Sequence, residues 1–98
     1  MFFAFIDTMS PLQLQMLALF SAPPVLPGIS MGGLSTVLEH GIPELRGNRE
    51  LYDQLWKDLY ARGLVNTDGL HMTMSATGLA SRRTTGLGQE FLQFIRAQ

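Results

Sequence analysis

Residues 49–65 read RELYDQLWKDLYARGLV, and the reading of this stretch decides the fold. Leu51, Leu55 and Leu59 recur every four residues, with Tyr52, Trp56 and Tyr60 beside them. That spacing puts both series on one side of an α-helix and predicts a helix over 49–62. Asn48 stands at the N-cap position, and Gly63 stands where a left-handed C-terminal cap belongs. Leu64-Val65 then opens a strand, and the turn chemistry of Asn66-Thr67-Asp68-Gly69 reverses the chain.

Downstream, residues 70–85 alternate loosely, with His71, Thr73 and Ser75 on one face and Met72 and Met74 on the other. Gly78 and the Arg82-Arg83 pair interrupt the alternation, so the expectation is strand, loop, strand. Thr85 caps a last helix that buries Leu87, Phe91, Leu92 and Ile95. Upstream, Ser30 caps a helix reaching about His40, with Leu34, Val37 and Leu38 inward and Gly41 at its end. Ser10-Pro11 starts another, since serine accepts from the first-turn amides and proline fits the first helical position. Its inward side is Leu12, Met16, Leu19 and Phe20, and Pro23-Pro24 stop it near Ser21.

A chain of 98 residues makes one domain, here 1–98. Only 15% of its residues are charged, low for a free-standing surface, which implies a partner over some apolar area. Phe2, Phe3, Phe5 and Ile6 crowd large apolar groups at the N-terminus and are the expected dimer interface. Cysteine is absent, which excludes disulfides, thiol nucleophiles and zinc–thiolate sites and suits a reducing, cytoplasmic location. Residues 8–38 carry no charge, yet Pro11, Pro23, Pro24, Pro27, Gln13 and Gln15 interrupt them, so no membrane span is expected. All seven basic residues (Arg46, Arg49, Lys57, Arg62, Arg82, Arg83 and Arg96) follow position 45, although the net charge is −1.

The order helix, helix, long amphipathic helix, wing, closing helix resembles a winged helix-turn-helix domain. The resemblance rests on Leu51 to Val65, LYDQLWKDLYARGLV, and Thr84 to Ile95, TTGLGQEFLQFI. Regulators of the multiple-antibiotic-resistance and phenolic-acid types carry a similar Gly-Leu-Val step into the wing and a similar Thr-x-x-Gly step out of it. The resemblance implies a mainly α fold of four to five helices with a two- or three-stranded antiparallel sheet. In that reading 1–22 is an apolar helical segment able to dimerise, 30–63 the helix-turn-helix, 64–85 the wing and 86–97 the closing helix. Helix 49–62 would be the recognition helix and 75–84 the wing tip. DNA contacts would then come from Arg46, Arg49, Gln54, Lys57, Arg82 and Arg83.

Catalytic chemistry finds little support. His40 and His71 are the only histidines, and alternation puts His71 and Met72 on opposite strand faces, so no metal site is expected. Gly28 to Gly33 lacks the Gly-Lys-Ser/Thr ending of a phosphate loop, and Gly86-x-Gly88 lacks the third glycine of a dinucleotide fingerprint. The expectation is therefore a homodimeric DNA-binding transcriptional regulator that is not an enzyme, with no cofactor or small-molecule ligand. The alternative is a winged-helix module for protein contacts, a fragment of a larger protein.

Overall fold

In the computed structural model, residues 7–24, 28 and 31–97 are described. Among them the chain is mainly helical with one small antiparallel sheet. Helix α1 spans Pro11–Ser21, with Pro11 in its first turn. The Ser10 hydroxyl accepts from the Gln13 amide at 3.3 Å, while the Gln13 side chain accepts from the Ser10 amide at 3.0 Å. This reciprocal capping satisfies two amides that would otherwise lack partners.

The buried face of α1 is Gln13, Met16, Leu17 and Phe20, rotated from the expected Leu12, Met16, Leu19 and Phe20; Leu12 and Leu19 are half-buried. The rotation has a polar cause. Gln13 Nε2 donates to the Leu55 carbonyl at 3.3 Å and to Asp58 Oδ2 at 2.7 Å, so its amide is matched inside the protein. With Met16, Leu17 and Phe20 fully buried in the domain's own core, α1 is a core helix. Of the segment assigned to dimerisation, Phe2, Phe3, Phe5 and Ile6 lie outside the described residues.

Strand β1, Met31–Gly32, leads into helix α2, Leu34–Gly41. Gly33 stands at the N-cap of α2, so the helix starts later than the expected Ser30, itself outside the described residues. The Ser35 amide is satisfied instead by the Leu70 carbonyl, at 2.9 Å. A 3-10 turn, Pro43–Leu45, and Gly47 at φ +80° connect α2 to helix α3, Arg49–Ala61. Asn48 holds the N-cap position but gives α3 no side-chain bond, its amide donating back to the Glu44 carbonyl at 3.3 Å.

Helix α3 buries Tyr52, Trp56 and Leu59. Leu51 and Tyr60, expected on the inward side, are each 47% exposed, because the core contacts only the middle of that broad apolar band. Trp56 anchors the centre, edge-on to Phe20 with ring centroids 4.9 Å apart, and donates Nε1–H to the Thr67 carbonyl at 2.8 Å. Gly63, at φ +76°, makes the left-handed turn out of the helix.

Residues 64–85, the expected wing, depart from strand, loop, strand. Val65 bridges Thr84 antiparallel, flanked by bonds from the Asn66 amide to the Arg83 carbonyl (2.9 Å) and from the Thr85 amide to the Leu64 carbonyl (3.0 Å). Between them, strand β2, Met74–Ser75, pairs with β1 in the register Met31↔Ser75, Gly32↔Met74. A single helical turn, α4, Ala76–Leu79, fills the expected loop. The alternation around Met72 to Ser75 is thus spent on β1 and not on a return strand of its own. Helix α5, Gly86–Arg96, is capped by the Thr85 hydroxyl, which accepts from the Gly88 amide at 3.0 Å. It buries Phe91 and Leu92, leaving Leu87 and Ile95 half-buried.

Candidate nucleic-acid interface

The sequence-predicted basic residues fall into two groups. Arg46, Arg49, Gln54 and Lys57 are all exposed on α3 or the turn leading into it. Arg46 closes the 3-10 turn and donates Nε–H to the Glu39 carbonyl at 3.3 Å, which holds its stem against α2. The Arg49 side chain is 69% exposed, at the mouth of a depression lined by Gly47, Asn48, Arg49, Glu50 and Leu51. Gln54 and Lys57, three residues apart, share a helix face.

Two of the three acids of α3, Asp53 and Asp58, have partners inside the protein, whereas Glu50 is exposed in its first turn. Asp53 receives His71 Nε2 at 2.8 and 3.1 Å on its two oxygens, with Arg49 Nε 3.8 Å away. Asp58 Oδ2 accepts from Arg62 Nε at 2.8 Å and from Gln13 at 2.7 Å. Burial works against ionisation of Asp58, but the bonds from Arg62 and Gln13 and the arginine charge outweigh it and hold the carboxyl below its ordinary range. On the inner side, Tyr52 donates to Glu39 at 2.9 Å. Burial, then that bond and the Glu39 charge, push its phenol up to about 12.

Arg82 and Arg83 part company. Arg82 is exposed. Arg83 turns inward: its Nη1 donates to Thr67 Oγ1 at 3.3 Å and its Nη2 to Met74 Sδ at 3.2 Å and to the Gly78 carbonyl. Its backbone amide also donates to the Phe20 carbonyl, at 2.9 Å. The guanidinium therefore ties α4, β2 and the Thr67 turn together, and Arg82 is the member of the pair presented to solvent.

Sequence reasoning missed three of these relationships. The inward Arg83 and the His71–Asp53 pair depend on contacts across 5 to 18 positions with no periodic signature. The Asp58–Arg62 pair sits at helical i,i+4 spacing and was open to detection. No group of three or more histidine, aspartate or glutamate side chains suited to a metal occurs among the described residues. No helix among them is long and apolar enough to cross a membrane. Comparison of the chain with family models, curated proteins and solved structures finds no match in any of the three.

Proposed function

We propose that the chain is a DNA-binding regulator of winged-helix type, not an enzyme, in which α2, the Gly47 turn and α3 serve as the helix-turn-helix. The observation that carries this reading is the sorting of charge on α3. Asp53 and Asp58 are engaged by His71, Arg62 and Gln13, whereas Arg46, Arg49, Gln54 and Lys57 face solvent, with Glu50 the one acid of α3 exposed among them. A carboxylate already compensated inside the protein repels phosphate less than a free one, so the outward face is more basic than its composition suggests. In this reading 64–85 is the wing, with Arg82 as its phosphate contact. A homodimer formed through Phe2, Phe3, Phe5 and Ile6 would set two recognition helices about one DNA turn apart.

The test is fluorescence anisotropy of the purified chain with a labelled mixed-sequence duplex, at low and then moderate salt. Micromolar binding that weakens steeply with salt is expected, because released counterions drive phosphate contacts. Absence of binding at low salt would overturn the reading. It would select instead a module for protein contacts, which the exposure of Met31 and Met72, each 68%, favours.

A further inference from the structure

The imidazole of His71 spans the gap between the wing segment and the middle of α3. Its Nε2 lies within hydrogen-bond distance of both Asp53 oxygens, at 2.8 and 3.1 Å. The two side chains are 34% and 29% exposed, so the pair is shielded on one side and reachable by water on the other. His71 follows Leu70, whose carbonyl accepts the Ser35 amide, and precedes β2, whose pairing with β1 fixes the segment. The ring is thus held by backbone on one side and by α3 on the other. Since a carboxylate only accepts, Nε2 carries a proton in this arrangement whether the ring is neutral or charged.

The charged groups around the pair are few. Arg49 Nε lies 3.8 Å from the same carboxylate, the exposed Glu50 stands three residues before Asp53 on α3, and Lys57 stands one turn after it. The Tyr52 ring centroid is 6.1 Å from that of His71, and its hydroxyl is committed to Glu39. From the loop, Asp68 is exposed.

We propose that His71 and Asp53 form a protonation-dependent clasp that sets the charge of the α3 face and couples the affinity for an anionic duplex to pH. The proposal rests on the DNA-binding reading above. With the ring neutral, His71 and Asp53 together carry −1, placed between Arg49 and Lys57; with the ring protonated they carry none. Histidine is the side chain that ordinarily changes charge between about pH 5 and 8. The same protonation turns a hydrogen bond between a neutral ring and a carboxylate into an ion pair, tightening residues 70–75 onto α3 as the face becomes more attractive to phosphate.

Two measurements test this. In duplex anisotropy at constant ionic strength, wild-type affinity should rise about two- to fivefold from about pH 8 to about pH 5, the range of a partly exposed charge pair. His71→Gln should flatten that rise, Asp53→Asn should bind more tightly than wild type at both values, and His40→Gln should keep the wild-type dependence. Independently of DNA, urea midpoints of wild type, His71→Gln, Asp53→Asn and the double variant form a cycle. Near pH 5 the double variant should lose no more than the worse single variant, and near pH 8 the coupling should shrink. An additive cycle near pH 5, or a pH-dependent affinity unchanged in His71→Gln, overturns the clasp. Absence of wild-type binding at both pH values overturns the DNA-binding reading, while the cycle still decides whether the clasp exists.

Discussion

Gly88, in the first turn of α5, lies directly against the carbonyl of Leu64, so close that a Cβ at position 88 would overlap the oxygen. The obstacle is backbone, held in place by the Thr85 amide, which donates to that carbonyl, and by the Val65–Thr84 bridge. It cannot swing aside as a side-chain tip would. The close approach is what lets the exit from α3 and the start of α5 share one corner of the core.

Gly88→Ala should therefore destabilise the protein by about 1–3 kcal/mol, the ordinary cost of overpacking. Thermal melting should show a fall of about 4–8 °C per kcal/mol for a domain of this size. Gly86, two residues earlier, has open space where its Cβ would project. Gly86→Ala should leave the melting temperature unchanged or raise it slightly, since alanine loses less backbone freedom on entering a helix. Equal losses for both would show that helix propensity, and not the Leu64 contact, governs this corner.

Arg82 and Arg83 should separate in experiment although they are neighbours in sequence. Arg83→Ala removes the donors to Thr67, Met74 and the Gly78 carbonyl, and should cost about 1–3 kcal/mol in urea unfolding. Arg82→Ala removes an exposed charge and should leave the urea midpoint within about 0.5 kcal/mol of wild type. If the DNA-binding reading holds, Arg82→Ala should lower duplex affinity and reduce the salt slope by about one. An Arg83→Ala protein of wild-type stability would refute the inward placement.

Trp56 is the single tryptophan and a direct reporter of the core. Its indole N–H is matched to the Thr67 carbonyl, and its ring meets the edge of Phe20. Trp56→Phe keeps an aromatic ring but leaves the carbonyl unmatched and a gap behind it, which together should cost about 2–4 kcal/mol. Thr67→Ala keeps the carbonyl and removes only the hydroxyl that accepts from Arg83, so its cost should be about 1 kcal/mol or less. Urea unfolding followed by circular dichroism checks both; a larger loss for Thr67→Ala than for Trp56→Phe would contradict the arrangement.

These cases also mark what was legible in the sequence. Ser10-Pro11, Gly63 and Thr85 are local signals, and each performs the predicted capping. Their cause lies within four residues of their effect. The rotation of α1 was not legible, because the partner that makes a buried Gln13 tolerable is Asp58, 45 positions away. Period-two alternation around Met72 to Ser75 predicts a strand, yet alternation does not name the partner strand, and the partner is β1. Of the candidate site, the exposed positions on α3 follow from helical geometry once the buried face is known. The inward turn of Arg83 was not legible, because an arginine beside another in a turn looks solvated until its acceptors at Thr67, Met74 and Gly78 are in place.

The Asp58 carboxylate joins α1 to α3 and should leave a signature in acid. Its oxygen accepts from Gln13 and Arg62, and those bonds hold the folded-state carboxyl below its ordinary range despite the burial that opposes them. A group depressed in the folded state contributes stability that is present above the unfolded value, about 3.9 for aspartate, and is lost as pH falls through the folded value. The urea midpoint of wild type should accordingly drop on acidification below about pH 4. Asp58→Asn should start lower near neutrality, since the ion pair with Arg62 is gone, and should fall less over the acid range. The two curves should converge once both proteins are protonated. Gln13→Leu removes one donor and leaves a carboxylate oxygen and the Leu55 carbonyl without it, so it should also be destabilised near neutrality while keeping a reduced acid dependence through Arg62. Parallel acid limbs for wild type and Asp58→Asn would show that this carboxylate does not couple α1 to α3.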